Sequence, residues 1–361
     1  MKKSLSAIIA GLLAIVFVFT GCDRIAEELD QRFPEITVEE NEQVEEDLLP
    51  ARVGRTYTVL LTTQLESADQ LTGIALLTFH TAEGSVHWLE IPSELFIHAA
   101  GSHLQGHYQN TYHATLIKEG ETSVSAARAG VAALRTLLAT GFNIPIDYSI
   151  NLSADQLSDL IKEIDNVPLT LTEEMGGLEA GNHTLSAKSA IEFLTYSRHK
   201  DPVNGKLVAN MQFAAAFWQQ ARTIITADNL SLYTMEIRGM MTTDIPNTGG
   251  EDIFFLRQFL RAEPNAFSLT YLNAKGVHYS GTQCNVLVKN NALEQLNQQM
   301  LVYKEPLKAE QFDPSGVFVD RANQMVATIY TTSTPLPTLY TMAELLNLDP
   351  PPVTGEGDSE T

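Results

Sequence analysis

The positions of apolar residues in the first part of the chain predict buried strands. Residues 56–63 and 71–81 are apolar, β-branched runs with a polar turn between them, and a third run ends at Pro92. Runs of this length, bounded by turn residues, are typical of strands in a sheet. We therefore predict three successive strands here.

Two longer segments have the 3.6-residue periodicity of helices that bury one face. Residues 122–140 are rich in Ala and Leu at that spacing, and Gly141 follows where a C-cap would fall. Residues 208–226 predict a second long helix. Between them, Ser153 is placed to cap a helix that follows a short apolar strand. The apolar positions that share one face of this helix are Leu157, Leu160, Ile161 and Ile164.

The remaining segments complete an alternation of strands and helices. Residues 167–171 predict another strand, and the region after residue 266 predicts a strand, a turn and a strand that leads into a helix. Such an alternation is typical of an α/β sandwich around a mixed sheet. The sequence contains no internal repeat.

The first 22 residues have the layout of a bacterial lipoprotein signal peptide. Lys2 and Lys3 precede an apolar run from Leu5 to Thr20, and small residues then lead into Cys22. The alternative is an uncleaved transmembrane anchor, although about 16 apolar residues are short for a span that needs about 20. We expect lipidation at Cys22, which would anchor the mature protein to the membrane on its outward side.

Acidic residues are concentrated towards the two ends of the chain. The net charge is −21, and much of it lies between residues 25 and 50 and in the Pro- and Gly-containing tail after residue 347. Such segments are typical of solvated linkers. The predicted organisation is a signal peptide (1–22), an acidic linker (23–52), an α/β domain (53–305) and an acidic, partly disordered C-terminal extension (306–361). A chain this acidic without a basic stripe is a poor candidate for binding nucleic acid.

Disulfide and metal chemistry have little support. After Cys22 only Cys284 remains, so the mature chain can form no internal disulfide. The histidines lack the spacing of metal ligands. Those nearest to a cluster lie in a loop-like region and are His98, His103, His107 and His113. We predict no metal site.

The order of the segments resembles the LytR-CpsA-Psr family. The resemblance covers about residues 56–301, and its most specific part is "IPIDYSINLSADQLSDLIKEIDNV" at residues 144–167. It implies a three-layer α/β/α sandwich with a central mixed sheet and a hydrophobic pocket that holds a polyprenyl-phosphate lipid. Family members face outward from the membrane of mainly Gram-positive bacteria and transfer a lipid-linked glycopolymer onto peptidoglycan. The resemblance also implies arginines that hold the pyrophosphate and aspartates that bind Mg²⁺.

Most of the family's catalytic side chains have no counterpart in this sequence. Leu65 and Thr72 occupy the two aspartate positions, and Ser67 stands at an arginine position. In place of the family's Ile-Pro-Arg-Asp motif the chain has Ile91, Pro92, Ser93 and Glu94, so the arginine is lost and only the carboxylate of the two charged side chains is kept. Losing these groups together removes the pyrophosphate clamp and the metal site, so we expect no cofactor.

A basic cluster at the end of the segment 191–200 is the main candidate for binding phosphate. It corresponds to the family's arginine loop, although the ordinary alternative is a helix C-terminus, where cations are favoured without any ligand. The candidate phosphate-binding residues are Arg198, His199, Lys200 and Lys206. The candidate carboxylates, which also suit solvated turns, are Glu66, Asp69 and Glu94.

Three functional hypotheses remain. The first is a divergent cell-envelope lipoprotein that binds a polyprenyl-phosphate-type lipid, or acts as a scaffold in cell-wall glycopolymer assembly, without transferring anything. The second is an active glycopolymer–peptidoglycan phosphotransferase whose site residues have moved. The third is an unrelated α/β surface lipoprotein that binds another ligand.

Overall fold

The computed structural model describes residues 52, 54–97, 102–118, 120–201, 204–246, 250–272, 274–279, 282–287, 300, 302–305 and 339–346. Cys22 and the acidic linker, except for its last residue Arg52, lie outside these residues. No helix in the described part of the chain is long and apolar enough to cross a membrane.

Seven of the described strands form one mixed sheet. Its order is β13–β10–β3–β2–β1–β6–β9. Strand β1 pairs with β2 in antiparallel and with β6 in parallel orientation, and β3 pairs in parallel with β10. The strands of this sheet are β1 (Thr56–Gln64), β2 (Gly73–His80), β3 (Ser85–Glu90), β6 (Tyr148–Ser153), β9 (Thr242–Thr243), β10 (Phe267–Tyr271) and β13 (Tyr340–Thr341).

The other described strands form three two-stranded hairpins. They are β4 (Phe96–Ile97) with β5 (Ser102–His103), β7 (Val167–Leu171) with β8 (Gly181–Leu185), and β11 (Ala274–Tyr279) with β12 (Thr282–Leu287). The strand predicted at residues 167–171 therefore exists, but it belongs to a hairpin outside the main sheet. The helix predicted after β12 lies outside the described residues.

The helices cover both faces of the sheet. Those described are α1 (Leu104–Leu116), α2 (Ser123–Phe142), α3 (Ala154–Glu163), α4 (Ala187–Thr195), α5 (Gly205–Ile224), α6 (Leu230–Met240), α7 (Glu251–Arg261) and α8 (Met342–Leu345). Helices α1 and α2 pack together on one face, and α3, α5, α6 and α7 lie on the other. The predicted three-layer α/β/α sandwich with a central mixed sheet is confirmed.

Local sequence signals explain where most of the helices begin. The Ser153 hydroxyl accepts a hydrogen bond from the Gln156 backbone N–H at 3.3 Å, and the Gln156 side chain accepts one from the Ser153 N–H at 2.9 Å. This reciprocal pair is a capping box. The predicted cap at Ser153 is therefore confirmed, and the apolar face behind it is buried.

The predicted end of the long helix at Gly141 is wrong. Helix α2 continues through Gly141 to Phe142, and Asn143 takes the left-handed conformation at φ 51°. Asn tolerates this region better than most residues because its short side chain bonds locally. Phe142 is fully buried, so ending the helix two residues later adds a large apolar side chain to the core.

The region interpreted as a loop around the histidines contains a helix instead. Leu104, Tyr108 and Tyr112 recur at intervals of four residues along α1 and are buried. The rest of its surface is polar, which weakened the apolar pattern on which the sequence interpretation depended. His103 is the N-cap, and its Nδ1 accepts a hydrogen bond from Gly106 N–H at 3.0 Å.

The domain also extends beyond the predicted boundary at residue 305. Strand β13 pairs with β10 at the edge of the main sheet, and the adjoining Met342 is fully buried against the same core. Part of the predicted C-terminal extension thus belongs to the folded domain.

Candidate functional site

An apolar cavity of about 240 Å³ lies between the sheet and the helices of one face. Protein interiors are close-packed, and voids larger than a water molecule are few. Well-formed apolar pockets with a few polar groups are the usual places where small molecules bind. This cavity is therefore the main candidate for a functional site.

The floor of the cavity follows from the alternation of side chains along the strands. Successive residues point to opposite faces of a sheet, and the register aligns the cavity-facing residues of neighbouring strands. The apolar floor consists of Val59, Leu61, Ala75, Leu77, Phe79, Trp88, Ile150 and Leu152.

The roof is formed by helices that bring both small and large apolar side chains. Ala214 and Ala221 of α5 face the cavity, and their small size leaves room that the surrounding rings do not fill. The large roof residues are Phe213, Phe217, Tyr233, Ile237, Phe255 and Phe259. A lining of this kind favours an apolar chain by hydrophobic burial.

Polar groups meet the cavity at the edge where β1 and β3 end and β2 begins. They belong to Thr63, Thr72, Glu90 and Asn210, with Gly73 between them. A Cβ at Gly73 would lie 2.9 Å from Thr63 Oγ1 and 3.3 Å from Asn210 Nδ2. A larger residue at Gly73 would therefore displace the hydroxyl and amide groups that surround it.

Glu90 is the most unusual group in this polar end. Its side chain is 3% exposed and lines the cavity. Trp88 Nε1 donates a hydrogen bond to Glu90 Oε1 at 2.9 Å, and Asn210 Nδ2 lies 3.4 Å from Oε2. Burial raises the pKa of Glu90 to about 7, against the opposing effects of these two donors and the positive charge of Lys206.

Lys206 lies one helical turn before Asn210 on α5, so both residues are on the same side of the helix. The Lys206 charge acts on Glu90 and also on His199. His199 packs against the start of α5. A Cβ added at Gly205 would lie only 2.5 Å from the Cβ of His199. Burial lowers the pKa of His199. The charge of Lys206 therefore acts on both Glu90, which lines the cavity, and His199, which does not.

None of the four predicted phosphate-binding residues lines the cavity. Arg198 and Lys200 are exposed and are absent from the cavity wall. Their place after the end of α4 also suits the ordinary role of cations near a helix C-terminus.

The three predicted carboxylates lie outside the cavity. Glu66 and Glu94 are exposed. Asp69 forms an ion pair with His113 at 3.3 Å, and a hydrogen bond from Ser67 lowers the pKa of Asp69. Asp69 is thus held at the protein surface by a partner from α1.

The former aspartate positions are now parts of the packed structure. Leu65 is 5% exposed, and its backbone N–H donates to Thr72 Oγ1 at 2.9 Å. Neither residue has the charged oxygen that a hard cation such as Mg²⁺ prefers. Among the described residues, no group of three or more His, Cys, Asp and Glu side chains is arranged to hold a metal ion.

A buried polar network on the opposite face fixes the end of β1. Thr62 Oγ1 donates to Asn151 Oδ1 at 2.7 Å, and Asn151 Nδ2 donates to Gln64 Oε1 at 3.3 Å. Gln64 in turn bonds the hydroxyl of Tyr108, which donates to the Ala68 carbonyl at 2.8 Å. Because the turn after β1 carries Thr72, this network helps to position the polar end of the cavity.

Sequence reasoning missed Glu90 and Asn210 as site residues. The available signal was an acidic residue two positions after Trp88 in a buried strand, where period-two alternation puts both on one face. A carboxylate at a core-facing strand position is uncommon and marks a candidate site.

Solved structures provide the only matches found for this chain. No family model and no curated protein matches it. Protein gbs0355 from Streptococcus agalactiae aligns with a TM-score of 0.59 at 11% identity, over 78% of this chain and 97% of the other. A transcriptional regulator (EF0465) from Enterococcus faecalis aligns with a TM-score of 0.52 at 15% identity, over 71% and 91% of the two chains.

A third solved structure, TagT bound to LI-WTA, aligns with a TM-score of 0.51 at 16% identity, over 66% of this chain and 87% of the other. TagT has also been solved as the B. subtilis protein. At identities this low, the TM-scores establish a shared fold and nothing finer. The fold of the chain is therefore the LytR-CpsA-Psr fold that the sequence resemblance implied.

Proposed function

We propose that this chain is a cell-envelope lipoprotein that binds a polyprenyl-phosphate-type lipid in its cavity and acts as a carrier or scaffold in cell-wall glycopolymer assembly. The single observation that carries the proposal is the apolar cavity with a polar group of side chains at one edge. This arrangement suits a molecule with one long apolar chain and a polar head. The complex of TagT with LI-WTA supports a cell-wall precursor as the ligand class.

The lipid chain would be held by burial alone. Each methylene that enters the cavity contributes about 0.8 kcal/mol, which is about fourfold in affinity. The head group would lie near Asn210, whose amide bonds Glu90, and the positive charge of Lys206 acts on the same carboxyl. Among the described residues, Arg238 is the cation that lines the cavity. These two cations are fewer than the arginine set implied for transferases of this fold, so we expect binding of the head without strong activation.

The geometry gives less support to phosphoryl transfer. The candidate acids Glu66 and Glu94 are exposed, and the Asp69 carboxylate is paired with His113. Phosphoryl transfer needs groups that neutralise charge at the reacting phosphorus, and these carboxylates do not converge on the cavity. A transferase with relocated residues would have to bring them there.

Two measurements on the purified full chain test the proposal. A titration with polyprenyl monophosphates of increasing chain length should saturate at one lipid per chain and tighten with each added unit until the cavity is filled. A two-chain phospholipid is the control and should bind much more weakly. Binding of both lipids with equal affinity, or of neither, would contradict the proposal.

The second measurement concerns chemistry. The chain is incubated with a polyprenyl pyrophosphate and Mg²⁺, and released phosphate is measured. We expect no release above background. Turnover that is lost on chelation would instead favour the transferase hypothesis.

A further inference from the structure

The two hydrogen bonds of Glu90 do not involve the proton that its carboxyl group carries when it is neutral. Both recorded bonds are donated to Glu90, one by Trp88 Nε1 and one by Asn210 Nδ2. Neither uses a proton carried by Glu90. A buried neutral acid has an O–H donor, and buried donors are almost always paired with an acceptor. Since Glu90 lines the cavity, an acceptor oxygen on a bound molecule would complete its hydrogen bonding.

The charged and titratable groups around Glu90 are few. On α5 the nearby charge is that of Lys206. On β10, Tyr271 is the residue opposite Glu90 in the sheet register, and burial raises the pKa of Tyr271, so this phenol stays neutral through the physiological range. On β2 the opposite residue is Ala75. His199, beside the start of α5, has a pKa that burial lowers. Among the described groups, Glu90 is therefore the one whose charge changes most at this polar end between pH 6 and pH 8.5.

We propose that Glu90 sets the head-group selectivity of the cavity, donating a hydrogen bond to a phosphate oxygen when it is protonated and repelling the phosphate when it is ionised. The inference rests on the proposed lipid-binding function and assigns its specificity to one side chain. Lys206 and Asn210 would hold the anion in the protonated state. In the ionised state the carboxylate would instead pair with Lys206, and it would tolerate a lipid with an uncharged hydroxyl head.

The expected effect is large enough to measure. With a pKa of about 7 for Glu90, the protonated fraction falls about 30-fold between pH 6 and pH 8.5. If only the protonated form accepts the phosphate, affinity for a polyprenyl monophosphate falls by the same factor over that range. Affinity for the matching polyprenyl alcohol should change by less than about threefold, because that head carries no charge to repel.

The test is a titration of the full chain with both lipids at pH 6 and pH 8.5. The phosphate of the probe loses its own second proton near pH 6, so a variant must separate the two titrations. Glu90→Gln keeps the shape and supplies a permanent donor, and it should bind the phosphate lipid with little change between the two pH values. The matched control is Glu94→Gln, which removes an exposed carboxylate outside the cavity. This control should keep the pH dependence of the wild type.

The outcomes separate this inference from the function on which it rests. A fall of about 30-fold that is absent in Glu90→Gln and present in Glu94→Gln supports it. Equal pH dependence in the wild type and Glu90→Gln overturns the role of Glu90 but leaves lipid binding standing. Loss of the pH dependence in Glu94→Gln as well would show that the effect is not specific to Glu90 and would overturn its role. Failure of the wild type to bind either lipid at any pH overturns both proposals.

Discussion

Replacing Glu90 by glutamine should stabilise the folded chain at alkaline pH and have much less effect in acid. Glu90 has a pKa of about 7 in the folded chain because it is buried, against an ordinary value of 4.5 for a glutamate in water. In the folded chain the acid therefore remains neutral between these values, whereas in the unfolded chain it ionises. Unfolding releases a proton in this window, so stability falls as the pH rises from about 4.5 to about 7.

The size of the effect follows from the difference between the two pKa values. Between pH 5 and pH 8 the wild type should lose about 2.5 kcal/mol of its free energy of unfolding through Glu90 alone. Glutamine has no proton to release, so Glu90→Gln should gain this amount relative to the wild type over the same range. A domain typically has about 5 to 15 kcal/mol of stability in total, which makes the change easy to detect.

Urea unfolding of the wild type and Glu90→Gln at pH 5 and pH 8 measures this difference directly. The control is Glu94→Gln, which removes an exposed carboxylate four residues away and should change stability by less than about 0.5 kcal/mol at either pH. The reasoning would be refuted if the difference in stability between Glu90→Gln and the wild type were the same at pH 5 and pH 8. That result would mean that the pKa of Glu90 is not raised in the folded chain.

Three further predictions concern other parts of the chain. Burial lowers the pKa of His87 to about 4, so the free energy of unfolding should fall as the pH drops below 6.5. Between pH 7 and pH 4.5, His87→Gln should gain about 2.5 kcal/mol in free energy of unfolding relative to the wild type, as measured with urea. Gly130→Ala should lower the stability measured by thermal unfolding by about 1–3 kcal/mol, because the new Cβ would lie 2.5 Å from the Tyr108 ring. Gly239→Ala is the matched comparison: nothing lies within 4 Å of its new Cβ, so it should stabilise α6 by about 1 kcal/mol. Mass spectrometry of the mature protein should find a lipidated Cys22 at the N-terminus, and a chain that still begins at Met1 would contradict the predicted cleavage.

The sheet and the longest helices could be predicted because their signals are local and strong. Residues 56–63 and 71–81 are β-branched and apolar on both faces, as central strands of a covered sheet must be. Ser153 and Gln156 supply a capping box that is visible in the sequence itself. In such segments, propensity, periodicity and capping all favour the same structure.

Other elements depend on contacts that the sequence does not display. Helix α1 is mostly polar, and its buried Tyr108 is explained only by Gln64 and Gly130, which are distant in sequence. Strand β13 is two residues long, follows a proline-containing segment and precedes the acidic tail, so composition concealed it. Its pairing with β10 is a tertiary contact.

The candidate site was only partly predictable for the same reason. The apolar walls follow from the buried strands, and Lys206 was identified through the family resemblance. Glu90 and Asn210 lie 120 residues apart and become one polar group only when β3 and α5 meet at the edge of the sheet. Arg198 was favoured because it stands in a basic run, yet its exposure depends on how the chain turns after α4.

The central claim, that the cavity binds the lipid chain, is tested most directly by filling it. Ala214 faces the cavity from α5, so Ala214→Phe places a ring where the lipid chain would lie. Ala132→Phe adds the same ring to an exposed position on α2, on the opposite face of the sheet. In a titration with a polyprenyl monophosphate at pH 6, we expect the wild type and Ala132→Phe to bind equally and folded Ala214→Phe to lose at least tenfold in affinity. Binding by folded Ala214→Phe that equals the wild type would contradict the claim.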